Sequence, residues 1–494
     1  MGIGYLLSFV KEAVIANFFG VSADVDAYTI AIQIPVTLFA FVSVAIKSVV
    51  IPMYTDLRLN QDEATSKLFL DHFVSLIALI ALSFIGLCEI FASPLIYFFA
   101  PGFTDEAHSL SVFLLRITLP TMLFTVIAQI YVAILNVHKR FIAPAFSVYF
   151  LNICIIALTI FLHATLGVAA ACIGQVMGSL AFALFLIMLA RRKYHFSFHL
   201  SLRDTYIRKT LKMSLPVLWN ISVAEVNTII NRAVASTMFV GSIAALGYAS
   251  KLNNVFLSLF VAAISSIIFP MFAESSAKGD LVTLNKRVNF TLSVYTMVVL
   301  PIMCFLIIFR TEIIEIAFAR GKFDVTAVGA VHSLFALYTI GLIFTAFRDA
   351  LSKVFMSMQD TMTPAKNATI GVLLNIALNL TLPFFLGVQG LALSTSLTAI
   401  FISTTLLIRL VRKFEEIRLH VFYRNLLGII GSAVLFCVVL WISSTLLSSY
   451  LPVIFRLLLS AIIGSLCYAL AMHLLRVPVW SQSVKMIAQR RNNS

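Results

Sequence analysis

Apolar stretches of about 20 residues alternate with short polar segments along the whole sequence. An α-helix of that length crosses the roughly 30 Å hydrocarbon core of a bilayer. A soluble chain of 494 residues would carry far more charge than the 11% found here, so we predict an all-α, polytopic membrane protein with about 14 transmembrane helices. The predicted spans, numbered 1 to 14, are residues 2–19, 26–53, 72–99, 108–136, 142–163, 168–190, 210–238, 242–273, 287–309, 327–357, 366–386, 389–411, 424–446 and 452–476.

Lysine and arginine are distributed unevenly between the two sets of connecting loops. Most of the 35 basic residues lie in loops on one side, while the loops of the other side contain Arg310, Arg320 and Lys322. Loops rich in lysine and arginine stay in the cytoplasm, and the even number of spans then places both termini there. The net charge of +14 is dispersed over separate loops, which favours a topological and lipid-headgroup role over nucleic-acid binding.

The sequence gives no sign of processing, of a metal site or of nucleotide binding. Met1–Phe19 contains Lys11 and Glu12 and lacks a small-residue cleavage site, which indicates a retained helix. The six cysteines lie in apolar stretches without a C-x-x-C pair, and the nine histidines are scattered. Any energy that this chain uses would therefore come from an ion gradient or from the membrane potential.

An internal repeat with an offset of about 220 residues divides the chain. Residues 45–54, AIKSVVIPMY, recur as AISSIIFPMF at 263–272, and Leu-Gly-Val recurs at 166–168 and 386–388. Pro144 and Pro364 follow the same shift. We predict an N-lobe over 1–200 (spans 1–6), a C-lobe over 201–420 (spans 7–12) and an added part over 421–494 (spans 13–14 and a tail). Six spans per copy make the repeat parallel, and two such lobes enclose a cavity that can open alternately to either side.

Basic residues outnumber acidic ones inside the spans. Charges in hydrocarbon are costly and usually face a cavity or a partner, so the excess predicts a cavity that binds an anion such as a diphosphate. The alternative is that they are structural ion pairs or snorkelling side chains, as Lys11 beside Glu12 and Arg348 beside Asp349 indicate. The basic residues are Lys11, Lys47, Arg116, Arg232, Lys251, Arg348, Lys353 and Arg456, and the acidic ones include Glu12, Glu89, Glu225 and Asp349.

Five motifs in chain order resemble the MurJ/MviN family of lipid II flippases, which belongs to the MOP flippase superfamily. The opening run from Lys11-Glu12 through Phe19-Gly20 to Asp26-Ala-Tyr28 is similar to the family's first signature. The other motifs are ISSIIFPMFAESSAKGD at 264–280, ARGKFD at 319–324, QDTMTP at 359–364, and the helix pair from Leu374-Asn375 to Ser396. The resemblance covers spans 1 to 12.

The resemblance implies a flippase that carries lipid II, an undecaprenyl-diphosphate-linked peptidoglycan precursor, to the outer leaflet of the bacterial inner membrane by alternating access. The family's cavity arginines map onto Lys11 and Lys251, and a third maps onto Tyr5. Its L-R-R-x-x-x-E segment reads LFAFVSV at 38–44, with Lys47 further along. The residues expected to bind the diphosphate are Lys11, Lys47, Lys251 and Arg232.

Further expectations follow from the same resemblance. A sodium site in some members maps onto Asn231, Asn375, Asn379 and Thr395, where ordinary interhelical hydrogen bonding is the alternative. The partners expected are the undecaprenyl-linked sugar lipid and membrane lipids, with a monomeric chain and no nucleic acid. Because the helix-2 segment departs from the family pattern, a flippase for another undecaprenyl-linked oligosaccharide stays an alternative. A drug or cation antiporter and a membrane-bound glycosyltransferase are less consistent with the cationic spans and short loops.

Overall fold

The computed structural model describes residues 2–140, 142–191, 194–201, 204–414, 416–446, 451–483 and 485. Within these ranges, the backbone but not the side chain is described at residues 2, 3, 5, 41, 43, 45, 47, 48, 211, 214–221, 223, 262, 263, 266 and 267. The side chains of Tyr5 and Lys47, which the sequence singled out, therefore lie outside the described part of the structure.

The described residues form helices and connecting turns without a β-strand, which confirms the all-α prediction. A π-helical turn, Ile46–Val50, joins two of the helices, and a 3-10 turn, Ala143–Phe146, precedes α8. The α-helices, in chain order α1 to α20, are Gly2–Phe19, Ala23–Ala45, Ile51–Asn60, Glu63–Ile90, Ala92–Phe99, Asp105–Thr118, Thr121–Val137, Ser147–Leu166, Ala169–Ala190, Thr205–Ser236, Ser242–Ala277, Leu281–Ile308, Arg310–Phe318, Val325–Ile340, Leu342–Ser357, Met362–Thr381, Pro383–Leu386, Val388–Lys413, His420–Leu446 and Val453–Leu474.

Ten helical segments within the described residues are long and apolar enough to cross a membrane. They overlap predicted spans 3–6 and 9–14, and several contain a short break, as between α6 and α7 at Pro120. Span 3, predicted over 72–99, is displaced: the long helix is Glu63–Ile90, and the short helix α5 follows it. Spans 1, 2, 7 and 8 correspond to helical segments in which some side chains are not described. The polytopic architecture is thus confirmed, and the count of fourteen stays a prediction.

The two copies of the repeat share unusual backbone conformations. Gly167 has φ 56° and ψ −141°, and Gly387 has φ 56° and ψ −142°. This region of backbone space is open almost only to glycine, which explains why both positions lack a side chain. Lys139 and Gln359, also 220 residues apart, both have φ 60° at the end of a helix. The repeat seen in the sequence is therefore a repeat of local backbone geometry.

The chain groups into two compact units. The first consists of Met1–Ala244 and Arg320–Asp324, and the second of Ala245–Ala319 and Val325–Ser494. These groupings place α10 with the first unit, although its sequence falls within the predicted C-lobe. The division at residues 200 and 420 stays a prediction.

Small residues allow close helix packing in the first unit. Gly174 and Gly178, one turn apart in α9, face α8, where a Cβ atom would stand 2.6 Å from Cα of Ile155 and 2.8 Å from Cα of Leu151. In a bilayer, where apolar burial gives little drive for helix association, such contacts gain van der Waals energy from backbone proximity. The G-x-x-x-G spacing thus explains the α8–α9 pair.

The second unit has two apolar clusters. One joins α12, α15 and α18 through residues such as Val299, Leu351 and Leu406. The other joins α19 and α20 to α12, where the Tyr468 hydroxyl donates a 3.0 Å hydrogen bond to the carbonyl of Met297. The helices predicted as an addition to the repeat are therefore packed as part of this unit.

Candidate functional site

Lys11, the first predicted anion ligand, forms a tight ion pair. Its Nζ lies 2.6 Å from Oε1 of Glu12, and the two side chains are 14% and 6% exposed. One turn earlier on α1, the Asn152 amide of α8 donates a 3.0 Å hydrogen bond to the Ser8 hydroxyl. The contact between α1 and α8 therefore fixes the part of α1 that carries Lys11. Because Glu12 neutralises part of its charge, Lys11 offers an incoming anion a moderated attraction.

Arg232, on α10, lies within electrostatic range of Asp26 on α2. Asp26 is 3% exposed and its carboxylate accepts hydrogen bonds from the backbone N–H groups of Gly241, at 2.8 Å, and Ala244, at 2.7 Å. These are donors at the start of α11 that have no partner within the helix. A carboxylate at a helix N-terminus is favoured both by these bonds and by the helix dipole.

Lys251 and Lys47 lie in helical segments of different character. Lys251 is half-buried in α11. The backbone of Lys47 lies in the π-helical turn Ile46–Val50, and Pro52 follows two residues after that turn. Proline lacks the N–H that an α-helix needs and crowds the carbonyl four residues earlier, which explains the local widening. Lys11 and Arg232 belong to the first unit and Lys251 to the second, and the joint binding of a diphosphate by these cations stays a prediction.

Several other charges in the predicted spans are structural ion pairs, as the alternative interpretation expected. Nζ of Lys353 lies 3.0 Å from Oδ2 of Asp349, which also accepts a hydrogen bond from Ser265. The sequence had suggested the adjacent Arg348 as the partner of Asp349, but residues four apart on a helix are better placed to meet. The remaining pairs are Arg456 with Glu312 and Arg116 with Glu89, each at 3.0 Å.

Two of the four residues matched to a sodium site, Asn375 and Asn379, belong to an interhelical hydrogen-bond network. The Asn375 amide donates to the Thr398 hydroxyl at 3.0 Å, and the Asn379 amide donates to the Asn375 carbonyl oxygen at 3.1 Å. Ser394 donates to the Asn379 carbonyl oxygen. The Thr395 hydroxyl donates to the backbone carbonyl of Leu391 at 3.2 Å. The network accounts for Asn375 and Asn379 by bonding between α16 and α18, whereas the bond of Thr395 lies within α18. Asn231 belongs to the other unit, and the cation site stays a prediction.

Two family motifs far apart in sequence meet in the first unit. The backbone N–H of Lys322 donates a 2.9 Å hydrogen bond to the carbonyl of Asn17, and Gly20, with φ +64°, faces the Lys322 carbonyl. A Cβ atom at Gly20 would stand 2.5 Å from that oxygen. Close contact between the end of α1 and the 320–324 loop therefore requires glycine at position 20. The sequence indicated that both segments are family motifs, but not that they touch.

Comparisons with known proteins identify close relatives of this architecture. The family model described as "Lipid II flippase MurJ" matches residues 15–461. The "Probable lipid II flippase MurJ" of Rickettsia prowazekii is 30% identical over 408 residues, which are 80% of this chain and 79% of that protein. The "Lipid II flippase MurJ" of Burkholderia cenocepacia is 28% identical over 404 residues, 79% of this chain and 77% of that one.

Solved structures agree with the sequence relatives. A structure of "Lipid II flippase MurJ, inward closed conformation" superposes with a TM-score of 0.82 at 26% identity and covers 96% of each chain. A multidrug resistance MATE family transporter of the MOP superfamily superposes with a TM-score of 0.67 at 13% identity, covering 83% of this chain and 93% of that one. The second likeness concerns the fold alone.

Proposed function

The chain belongs to the MurJ family of lipid II flippases, as its five motifs predicted, and we propose that it moves lipid II from the cytoplasmic to the outer leaflet of the bacterial inner membrane. It is a multi-pass membrane transporter. The observation that carries the proposal is the extent of the family match, since residues 15–461 include the first copy of the repeat from the end of α1 onward, the whole second copy and most of the two helices that follow.

The diphosphate of the substrate is the natural ligand for the cationic residues. We assign it to Lys11, Lys47, Lys251 and Arg232, because lysine offers a movable point charge and arginine offers paired donors to phosphate oxygens. A transporter must also release its substrate, so the partial neutralisation of Lys11 by Glu12 favours turnover over tight binding. Alternating access then transfers the headgroup, as the parallel repeat suggests.

The undecaprenyl tail needs an apolar surface that stays in the bilayer. Helices α19 and α20 supply exposed apolar side chains, including Leu427, Trp441 and Leu466, each at least 65% exposed. Gly464 lies where a Cβ atom would stand 2.7 Å from the Phe436 ring, so the helix pair is close-packed. We propose that the tail slides along this pair while the headgroup crosses.

The remaining proposals concern orientation, assembly and energy. We propose that both termini lie in the cytoplasm, because the basic loops favour that orientation. The chain is proposed to act as a monomer without nucleic acid, driven by a Na⁺ gradient or the membrane potential. In proteoliposomes, an imposed inside-negative potential without Na⁺ should support transport if the potential suffices. A strict need for Na⁺ would instead favour coupling at the Asn375 network.

The direct test is complementation of a bacterium depleted of its own lipid II flippase. Outer-leaflet lipid II is measured by its accessibility to an externally added reagent. Rescue with exposed lipid II supports the assignment, and Lys251→Ala should abolish it while the exposed control Lys366→Ala should not. Failure of the wild-type chain, shown to be folded in the membrane, would favour a different undecaprenyl-linked oligosaccharide, which the apolar 38–44 segment also allows.

A further inference from the structure

A groove of about 470 Å³ opens on the first unit, apart from the residues assigned to the substrate. Lys139 and Arg140 line one part of it, and its remaining wall includes Ile142, Phe146, Phe185 and Leu189. The aromatic rings are close together, with centroids of Phe146 and Phe185 5.8 Å apart. The volume falls within the roughly 300–1,000 Å³ typical of ligand pockets.

The groove lies at the shared end of three candidate spans. The segment Asp105–Val137 ends just before Lys139, Ala143–Leu166 begins just after it, and Ala169–Ala190 ends next to Leu189. Residues at the end of a span sit near the boundary between hydrocarbon and lipid headgroups. The two cations are therefore at headgroup depth, and the rings extend from them along the hydrocarbon part.

Both cations are available to a ligand. Lys139 and Arg140 are exposed, and neither forms an ion pair or side-chain hydrogen bond with the described part of the chain. Lys139 has φ +60°, a conformation in which side-chain-bearing residues are uncommon. Gln359 has the same φ in the second copy, so this backbone conformation belongs to the repeat, and it is the exposure of the two cations that leaves them accessible to a ligand.

The second copy of the repeat shows what the same position looks like when it is internally satisfied. The counterpart of Arg140 is Asp360, whose carboxylate accepts hydrogen bonds from Lys413 at 2.6 Å and from the Thr363 hydroxyl at 2.7 Å. Lys193, the counterpart of Lys413, lies outside the described residues. The copy with the groove thus has a cation where the other has a carboxylate that is already bonded.

The residues that form the apolar wall of the groove in the first copy are replaced by polar or charged residues in the second. With an offset of 220, Phe146, Phe185 and Leu189 correspond to Lys366, Thr405 and Arg409. Thr405 donates a hydrogen bond to the Asn367 carbonyl oxygen at 2.9 Å. The repeat fold therefore does not require an apolar wall here, and the first copy combines that wall with two cations.

We propose that this groove binds one anionic phospholipid of the surrounding membrane. The lipid phosphate lies between Lys139 and Arg140, and one acyl chain packs along Phe146, Phe185 and Leu189. Charge complementarity selects an anionic headgroup, because basic side chains at the cytoplasmic surface attract anionic lipids. The site is independent of the assigned substrate residues.

The test uses the full chain in bilayers with a fluorescent reporter in the groove. Trp219, Trp441 and Trp480 are replaced by Phe, and Phe185→Trp supplies the reporter. Quenching by phosphatidylglycerol with brominated acyl chains is compared with quenching by brominated phosphatidylcholine at equal mole fraction. We expect a preference for the anionic lipid on the order of tenfold.

The variant Lys139→Gln with Arg140→Gln should remove this preference, because it removes both positive charges. Glutamine fits the backbone at position 139, since Gln359 has the same φ in the second copy. The matched control, Lys366→Gln with Arg412→Gln, removes the same charge from exposed positions of the second copy and should retain it. Equal quenching by the two lipids, or a preference that survives the Lys139 and Arg140 changes, overturns the proposal. If the reporter chain misfolds, native mass spectrometry is used on chains without the tryptophan changes. The number of phosphatidylglycerol or phosphatidylcholine molecules retained is then compared between the wild-type chain and the Lys139→Gln, Arg140→Gln variant.

Discussion

The carboxylate of Asp26 accepts a 2.7 Å hydrogen bond from the backbone N–H of Ala244, across 218 residues of sequence. A second bond of 2.8 Å comes from Gly241. An aspartate in the opening family motif therefore caps the start of α11, at Gly241 and Ala244, which belong to the same unit as Asp26. An acid in an apolar helix can indicate a transport site, but the hydrogen bonds of Asp26 give it a structural role.

Asp26→Ala should destabilise the protein by about 3 kcal/mol, because it leaves two buried N–H groups without acceptors. Asp24→Ala is the matched control, since Asp24 lies in the first turn of the same helix and is exposed. The apparent melting temperature in detergent measures the difference. Equal melting temperatures for the two variants would show that the cap contributes little.

Gly321→Ala should also destabilise the first unit, by at least about 2 kcal/mol. Gly321 has φ +57°, and a Cβ atom there would stand 2.2 Å from the carbonyl oxygen of Asn17, so the loop must move away from α1. Gly329→Ala in α14 is the control, because no atom lies within 4 Å of its Cβ position and alanine favours helix. Thermal unfolding that ranks Gly329→Ala below Gly321→Ala would contradict this reading.

Changes at Lys11 should separate stability from transport. Lys11→Ala leaves the Glu12 carboxylate buried without its cation, so both stability and lipid II exposure should fall. Adding Glu12→Gln should recover much of the stability without restoring transport, while Lys11→Arg should preserve transport. Melting temperature and the external lipid II assay are measured on each variant. Transport that returns with stability in the double variant would mean that Lys11 acts only through folding.

The Asp360–Lys413 pair predicts a dependence of stability on acidic pH. The Lys413 ammonium, together with Thr363, lowers the pKa of Asp360 from 3.8 to about 2. Because the folded-state pKa is the lower one, the stabilisation is present above about pH 4 and is lost as pH falls toward 2. Lys413 is 51% exposed, and solvent screening limits the effect to about 1 kcal/mol.

The measurement compares unfolding between pH 2 and 5 for the wild-type chain, Asp360→Asn, Lys413→Gln and the double variant. Each single change should flatten the acid-dependent part of the curve by a similar amount, and the double change should add nothing further. Additive losses would show that the two residues do not stabilise each other.

Much of the architecture was predictable from local sequence. Spans 3–6 and 9–14 overlap apolar helices because lipid requires long apolar segments whose backbone groups bond internally. The repeat was visible for a related reason, since Gly167 and Gly387 adopt a conformation that excludes other residues. The family motifs identified the transporter class.

The candidate site was predictable only as a set of residue types. Lys11 and Glu12 are adjacent in sequence, and their pairing could be proposed directly. The partner of Asp349 could not be predicted in this way, because two cations lie close to it in sequence, Arg348 next to it and Lys353 one turn later. Helix geometry favours Lys353. The roles of Asn375 and Asn379 were equally open, since an amide can bond a cation or a neighbouring helix.

The sequence by itself determined the membrane-spanning helices, the repeated unit and the family, because each depends on local composition or on the order of motifs along the chain. Only the tertiary structure decided that Asp26 caps α11, that Gly20 and Gly321 allow two motifs to touch, and that Arg140 borders an apolar groove while its counterpart Asp360 is bonded. Such relationships join residues far apart in sequence. They are set by how helices pack, which local hydrophobicity does not specify.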